Sequence, residues 1–373
     1  MTKTILTHSP SVRRPARGAL GDFIHRWLPS STSARLFMAI TLAEALVNIS
    51  IEAVLLSRYR STQTLTKDGT DSLRSLPVFV LCFCLAHSYQ TLLSVDACIN
   101  RNVILVFGLV IFNACFLVYS LIQIGEIRQV LGTGVQEGSG QTVPVQVLTG
   151  AIPIVIGASQ VAFTILAWFL WKEFGWQVYK AIIGADRMLK KAYGQYALFV
   201  ALLKFDFFVF IAFCLQLVLV VLASDPVEKW LTIIAAPVAL LLLFFAWWSV
   251  RREKRWGMMV FVAGLLGAGV YFSYKLYRIW MGRSGIYAEV YKSLTVFAVI
   301  ALALDLATIT LSVRCAANFG RGLCNAMDRA KTERKAASAA GVPYSASFGG
   351  KELLPLSSSS TLHLPAQPRV SLD

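Results

Sequence analysis

Glu44, Asn48 and Glu52 stand at i, i+4 and i+8 within a long apolar run. On a helix that spacing puts two carboxyls and an amide on one face. A charge at the centre of a hydrocarbon-embedded helix costs about 2.5–3.5 kcal/mol, so the stripe must face other helices or water. Further polar residues fall within other apolar runs: His87 with Gln90, Lys204, Asp206, Lys275 and Asp305. Residues of these types at such depth are the parts of a proton or cation relay, and equally the parts of structural pairs between helices. Counted at about 1.5 Å per residue, Glu44 and Lys204 lie at similar depths from one face, and Glu52 and Lys275 at similar depths towards the other. The expected ion pairs are therefore Glu44 with Lys204 and Glu52 with Lys275. Asp206 follows Lys204 by two positions and must point in another direction.

Nothing in the chain has the spacing of a catalytic or metal centre. There is no His/Cys set at zinc spacing, no His-Glu-x-x-His, no Gly-x-Ser-x-Gly and no phosphate-cradling Gly-rich loop. The expectation is a non-enzymatic protein with no catalytic, cofactor or metal residues.

The elements that position the polar residues are set by hydropathy. The chain has 373 residues, is 56% hydrophobic and only 15% charged, and has a mean hydropathy of +0.63. Apolar runs of about 20 residues, the length that crosses a bilayer core, fall at 36–57, 76–96, 102–124, 148–171, 197–223, 229–250, 258–280 and 293–313. Hydrocarbon offers the backbone no hydrogen-bond partner, so each must be a helix. The expected fold is all-α, a polytopic transmembrane bundle of about eight spans. Pro153 and Pro237 fall inside two of them.

The net charge of +15 is unevenly placed. With the N-terminus in the cytosol, 24 Lys/Arg lie on the cytosolic side and 9 on the other, and Lys204 and Lys275 lie within spans. That asymmetry is topogenic, which argues against nucleic acid as a partner. With an even number of spans it puts both termini in the cytosol. No cleavable signal peptide precedes the first run, which reads as a signal anchor. None of the seven cysteines falls in a loop on the far side, so no disulfide framework is expected. Cys315 and Cys324 are juxtamembrane and suited to S-acylation.

Three regions follow: a basic cytosolic segment 1–35, a membrane domain 36–325, and a Ser/Pro-rich tail 326–373 expected to be disordered. Within the domain, 172–196 places Val178, Ile182, Ala185, Leu189, Tyr193 and Tyr196 at helical spacing, with Lys180, Arg187, Lys190 and Lys191 on other faces. This reads as a basic amphipathic helix on the anionic cytosolic leaflet. Tryptophans cluster at span ends, as expected of an interfacial belt. Gly264 with Ala268, and Ala263 with Gly267, form small-residue packing patterns. The spans do not divide into similar halves by sequence, which counts against an inverted-repeat transporter.

The block FGWQVYKAIIGADRMLKKAYGQYALFVALLKFDFF (174–208) resembles the signature region of an uncharacterised family of fungal Golgi apparatus multi-pass membrane proteins. The stretch Asn318-Phe319-Gly320-Arg321-Gly322-Leu323 is similar to a second block of that family. The resemblance implies Golgi residence and several spans, and implies no reaction. It places Lys204 and Asp206 in a signature and draws attention to Tyr179, Lys180, Gly184 and Asp186. The expected role is a scaffold or sorting protein for cargo or lipid, with membrane lipids as partners and the tail as a docking point for proteins. The alternative is a small-solute or ion transporter that uses the buried carboxylates.

The charge asymmetry gives a direct test. In sealed vesicles with the cytosolic face outward, protease should remove the tail beyond residue 326. A tail that survives digestion contradicts an even number of spans.

Overall fold

Each apolar run is a helix in the computed structural model, which describes residues 29, 31–65, 75–131, 143–181, 187–221, 226–285, 287, 290–320 and 332. The helices are α1 (Thr32–Leu65), α2 (Ser75–Ile99), α3 (Val103–Leu131), α4 (Val145–Ala181), α5 (Arg187–Val221), α6 (Pro226–Arg251), α7 (Arg255–Met281) and α8 (Tyr291–Ala317). Among the described residues, all but α2 are long and apolar enough to cross a membrane. The middle of α2 carries His87, Ser88, Tyr89, Gln90 and Thr91 in succession, which lowers its mean hydropathy. It still runs antiparallel along α1: Cys98 near its end meets the Ala34 carbonyl near the start of α1, and His87 in its middle meets Asn48 in the middle of α1.

Contacts at the helix ends show that the chain enters and leaves at one end of the bundle. Ser31, just before α1, donates to Glu173 late in α4 at 2.6 Å. Asn318, just after α8, donates to Gln195 early in α5. The Phe319 carbonyl accepts from Arg255 at the start of α7. At the opposite end Arg128 of α3 donates to Thr149 of α4 at 3.1 Å, and Glu126 accepts the Ser293 N–H at the start of α8 at 3.2 Å.

The packing order divides the helices into two closed rings. α1 packs on α2 and α4, and α3 packs on the same two; α5 packs on α6 and α8, and α7 packs on those two. Each is an up-down four-helix ring, so the second repeats the packing order of the first in the same direction. α2 and α3 join the rings by packing on α5, and α3 also touches α8. The outer surface is apolar, with Ile154, Leu241, Val270 and Leu306 each about 70% exposed or close to it. A soluble protein does not present such a surface. Trp168, Trp171, Trp230, Trp247, Trp248, Trp256 and Trp280 are all exposed, as side chains facing lipid and head groups must be.

The helices run past several expected boundaries. α1 continues through Arg58 and Arg60 to Leu65. The segment 172–196 is divided: its first part continues α4 to Ala181, and its last part opens α5 at Arg187. Residues 182–186, and the side chains of Lys180, Arg187 and Lys190, lie outside the described residues; Lys191 is exposed. Residues 1–28, Cys324 and the tail apart from Thr332 also lie outside them. Cys315 is 3% exposed and packs in the core, an environment closed to acylation.

Small residues set the α6–α7 and α7–α8 approaches. A Cβ at Gly257 would stand 2.2 Å from the Ser249 Oγ, and one at Gly264 would stand 2.9 Å from Leu242. On the α8 side, a Cβ at Gly269 would meet Asp305 Oδ2 at 2.8 Å. Of the two small-residue patterns, the Gly264 one is used, while Gly267 faces open space. Gly257→Val should therefore push α6 from α7 and lower stability by about 1–3 kcal/mol, whereas Gly267→Ala should cost nothing. Thermal unfolding of the two variants in detergent checks the contrast.

Candidate functional site

The polar residues inside the membrane domain fall into separate groups, each bridging particular helices. The largest lies in the first ring. The Asn113 amide donates to the backbone carbonyl of Ile156 at 3.4 Å and to Gln160 at 3.0 Å. A carbonyl can only accept, so the Asn113 oxygen faces the other way, where it accepts from Gln90 at 3.1 Å. One asparagine thus ties α2, α3 and α4. One turn away, Asn48 pairs with His87 at 3.2 Å and ties α1 to α2. Gln123 donates to Glu52 at 3.0 Å and ties α3 to α1. The expected stripe of Glu44, Asn48 and Glu52 does line the ring interior, and all three are buried to within 2%. Ser159 and Gln90 are the polar neighbours of the Glu44 carboxyl, and neither makes a well-aligned hydrogen bond to it.

Neither expected ion pair is seen among the described residues. Lys204 bonds to Asp96 at 2.5 Å, a contact between α5 and α2. The Lys204 backbone carbonyl accepts from Tyr89 at 2.6 Å, a second bond on the same helix pair. Glu44 and Lys204 match in depth but belong to different rings, and matching depth carries no information about which helices are neighbours. Glu52 takes Gln123 in place of Lys275. Lys275 is fully buried on α7, with its ammonium 5.9 Å from the Tyr271 ring centroid and Cys214 nearby.

The third group lies between α5 and α8. Asp206 accepts from Thr308 at 2.7 Å, and Asp305 stands within electrostatic reach of Asp206. Asp206 points away from Lys204, as their spacing requires. Gln216 of α5 also donates to the Tyr119 hydroxyl of α3 at 3.3 Å across the ring boundary. Among the described residues no three His, Cys, Asp or Glu side chains converge as metal ligands.

Asn113, Gln123, Gln160, Asp96 and Thr308 carry much of this bonding and are absent from the sequence-based candidates. Asn113 and Gln160 were legible as lone amides in apolar runs. Asp96 closes the second run and reads there as a boundary residue. Glu126 lies past the expected end of span three, yet it is buried and bonds to the first turn of α8.

The second resemblance block has a structural role at the end where the chain enters and leaves. Asn318 reaches α5, the Phe319 carbonyl takes Arg255, and the Gly320 N–H donates to Glu253 at 3.0 Å. Gly320 has φ +86, a conformation that glycine adopts without strain.

Comparison with known proteins agrees with this picture. The chain is 27% identical over 316 residues to a UPF0658 Golgi apparatus membrane protein of the fission yeast Schizosaccharomyces pombe, covering 77% of this chain and 87% of that one. Over that span the chain is similar to a protein of an uncharacterised Golgi membrane family. It is a multi-pass Golgi membrane protein, as the blocks at 174–208 and 318–323 imply. No protein-family model matches the chain, and no solved structure is a significant match. Tyr179, Lys180, Gly184 and Asp186 of the first block lie outside the described side chains.

The Lys204–Asp96 bond separates the observed pairing from the depth-matched one. Lys204→Leu should destabilise more than Lys204→Leu combined with Asp96→Leu, with a coupling of about 0.5–1 kcal/mol for this part-exposed pair. Glu44→Leu and Lys204→Leu should instead be additive. Unfolding free energies of the single and double variants decide it.

Proposed function

We propose that this protein is a non-enzymatic component of the Golgi membrane that holds and sorts lipid or apolar cargo. The observation that carries this reading is the distribution of its polar interior. Glu44, Asn48, His87 and Glu52 lie in the first ring, Lys204 joins Asp96 between rings, and Asp206 accepts from Thr308 elsewhere, with Asp305 within electrostatic reach. A transport path would gather such groups along one passage. Here Asn48, His87, Glu52, Lys204 and Asp206 act as ties between neighbouring helices. A cavity lined by apolar side chains, by contrast, lies between the rings. The basic residues Lys180, Arg187, Lys190 and Lys191 would hold the anionic cytosolic leaflet, each contributing about 1 kcal/mol near such a surface. The tail after residue 326 is then free to take protein partners.

Ion transport is the second reading, and Glu44 favours it. Both of its oxygens are buried without a hydrogen-bond partner, and such a group is an expensive one to retain. The two readings part in a flux experiment. Purified full-length protein in sealed vesicles, tested with proton, sodium and potassium reporters, should give flux no greater than empty vesicles. Flux several-fold above that background, lost in Glu44→Gln, would overturn the proposal in favour of transport.

A further inference from the structure

A cavity of about 390 Å³ lies where α3 of the first ring meets α5 and α8 of the second. Its lining follows α3 from Ile104 to Tyr119, α5 from Leu198 to Val209 and α8 from Val296 to Leu304. Phe107, Ile111 and Leu198 belong both to this lining and to the exposed outer surface, Ile111 being 65% exposed. The cavity therefore opens sideways, towards the hydrocarbon of the bilayer.

Its shape selects the occupant. The cavity follows roughly 22 Å of α3, at about 1.5 Å per residue, and is lined by apolar and aromatic residues from all three helices. A long apolar slot open to the bilayer suits a hydrocarbon chain lying along the helices.

Charge selects the headgroup. Lys191, Leu198, Leu202, Phe205 and Val209 stand at i, i+7, i+11, i+14 and i+18 on α5, a single stripe. Four of the five line the cavity, and Lys191 is the exposed residue two turns towards the start of the helix. Arg187 and Lys190 stand in the same first turns. The starts of α3 and α5 lie at this end, and helix N-termini favour negative charge.

We propose that the space between the rings seats one tail of an anionic phospholipid, with its headgroup at Lys191. This rests on the lipid-sorting reading and names the lipid class for it. The test uses full-length protein in nanodiscs with a phosphatidylserine analogue carrying a photoreactive group in one tail, and maps the adducts by mass spectrometry. Adducts should concentrate on cavity residues such as Phe112 and Leu202. Excess phosphatidylserine should compete and phosphatidylcholine should not. Ile300→Trp, which fills the slot from α8, should reduce cavity adducts at least tenfold. Ala201→Leu is the milder variant if Ile300→Trp unfolds, and should give a smaller loss in the same direction. Lys191→Gln should weaken the preference for the anionic lipid roughly fivefold, the equivalent of about 1 kcal/mol. Adducts spread evenly over the outer helices, equal competition by phosphatidylcholine, or cross-links to a second protein chain would each overturn the proposal. Failure here together with absent ion flux would reject the lipid site and leave the non-transport reading standing.

Discussion

A polar side chain in hydrocarbon has no water to bond with, so it must find its partner on another helix. In this protein that constraint is met with amides. Asn113 bonds to Gln90, Gln160 and the Ile156 carbonyl, and so fixes three helices about one residue. Asn48 with His87 and Gln123 with Glu52 then lock α1 to the same group. Cross-helix hydrogen bonds in membranes average only about 0.6 kcal/mol each. Their direction matters more than their strength, because each amide accepts and donates along different lines and so admits few arrangements of its neighbours.

The second ring is held differently. Its helices approach through small residues, Gly257 against Ser249 and Gly264 against Leu242, and through rings such as Phe213 against Phe272 at 5.3 Å. The two rings share a packing order and differ in what fills them. Between them lies an aromatic wall: Phe116 packs on Phe83 and His87 from the first ring, and Tyr119 packs on Phe297 of α8. That wall separates the amide network on one side from the apolar cavity on the other. Polar bonding and apolar space are thus kept in different parts of the same bundle.

The helices themselves were legible in the sequence, because apolar length is a local property and each run became one helix. The Glu44, Asn48 and Glu52 stripe was also legible, since four-residue spacing alone puts those residues on one face. The partners were not. Depth along a helix can be counted from sequence, but whether α1 or α2 lies beside α5 cannot, and Lys204 consequently bonds to Asp96 rather than Glu44. The two rings were hidden for a similar reason. Their likeness is one of packing order, and one interior carries a network of amides while the other packs glycine and phenylalanine around Asp206, Thr308 and Lys275, so no run of similar residues marks the repeat. The segment 172–196 takes in the end of α4 and the start of α5, where Lys172 and Lys191 are exposed.

The central claim is that buried polar groups act as ties between helices and that the open space within the bundle belongs to hydrocarbon. A high-resolution structure of the full-length protein in anionic-lipid nanodiscs tests it most directly. The account predicts a single rod of lipid density between α3, α5 and α8, with Lys204 on Asp96 and Asn113 bridging Gln90 and Gln160. A continuous file of water running from Glu44 past His87 to either face would contradict it.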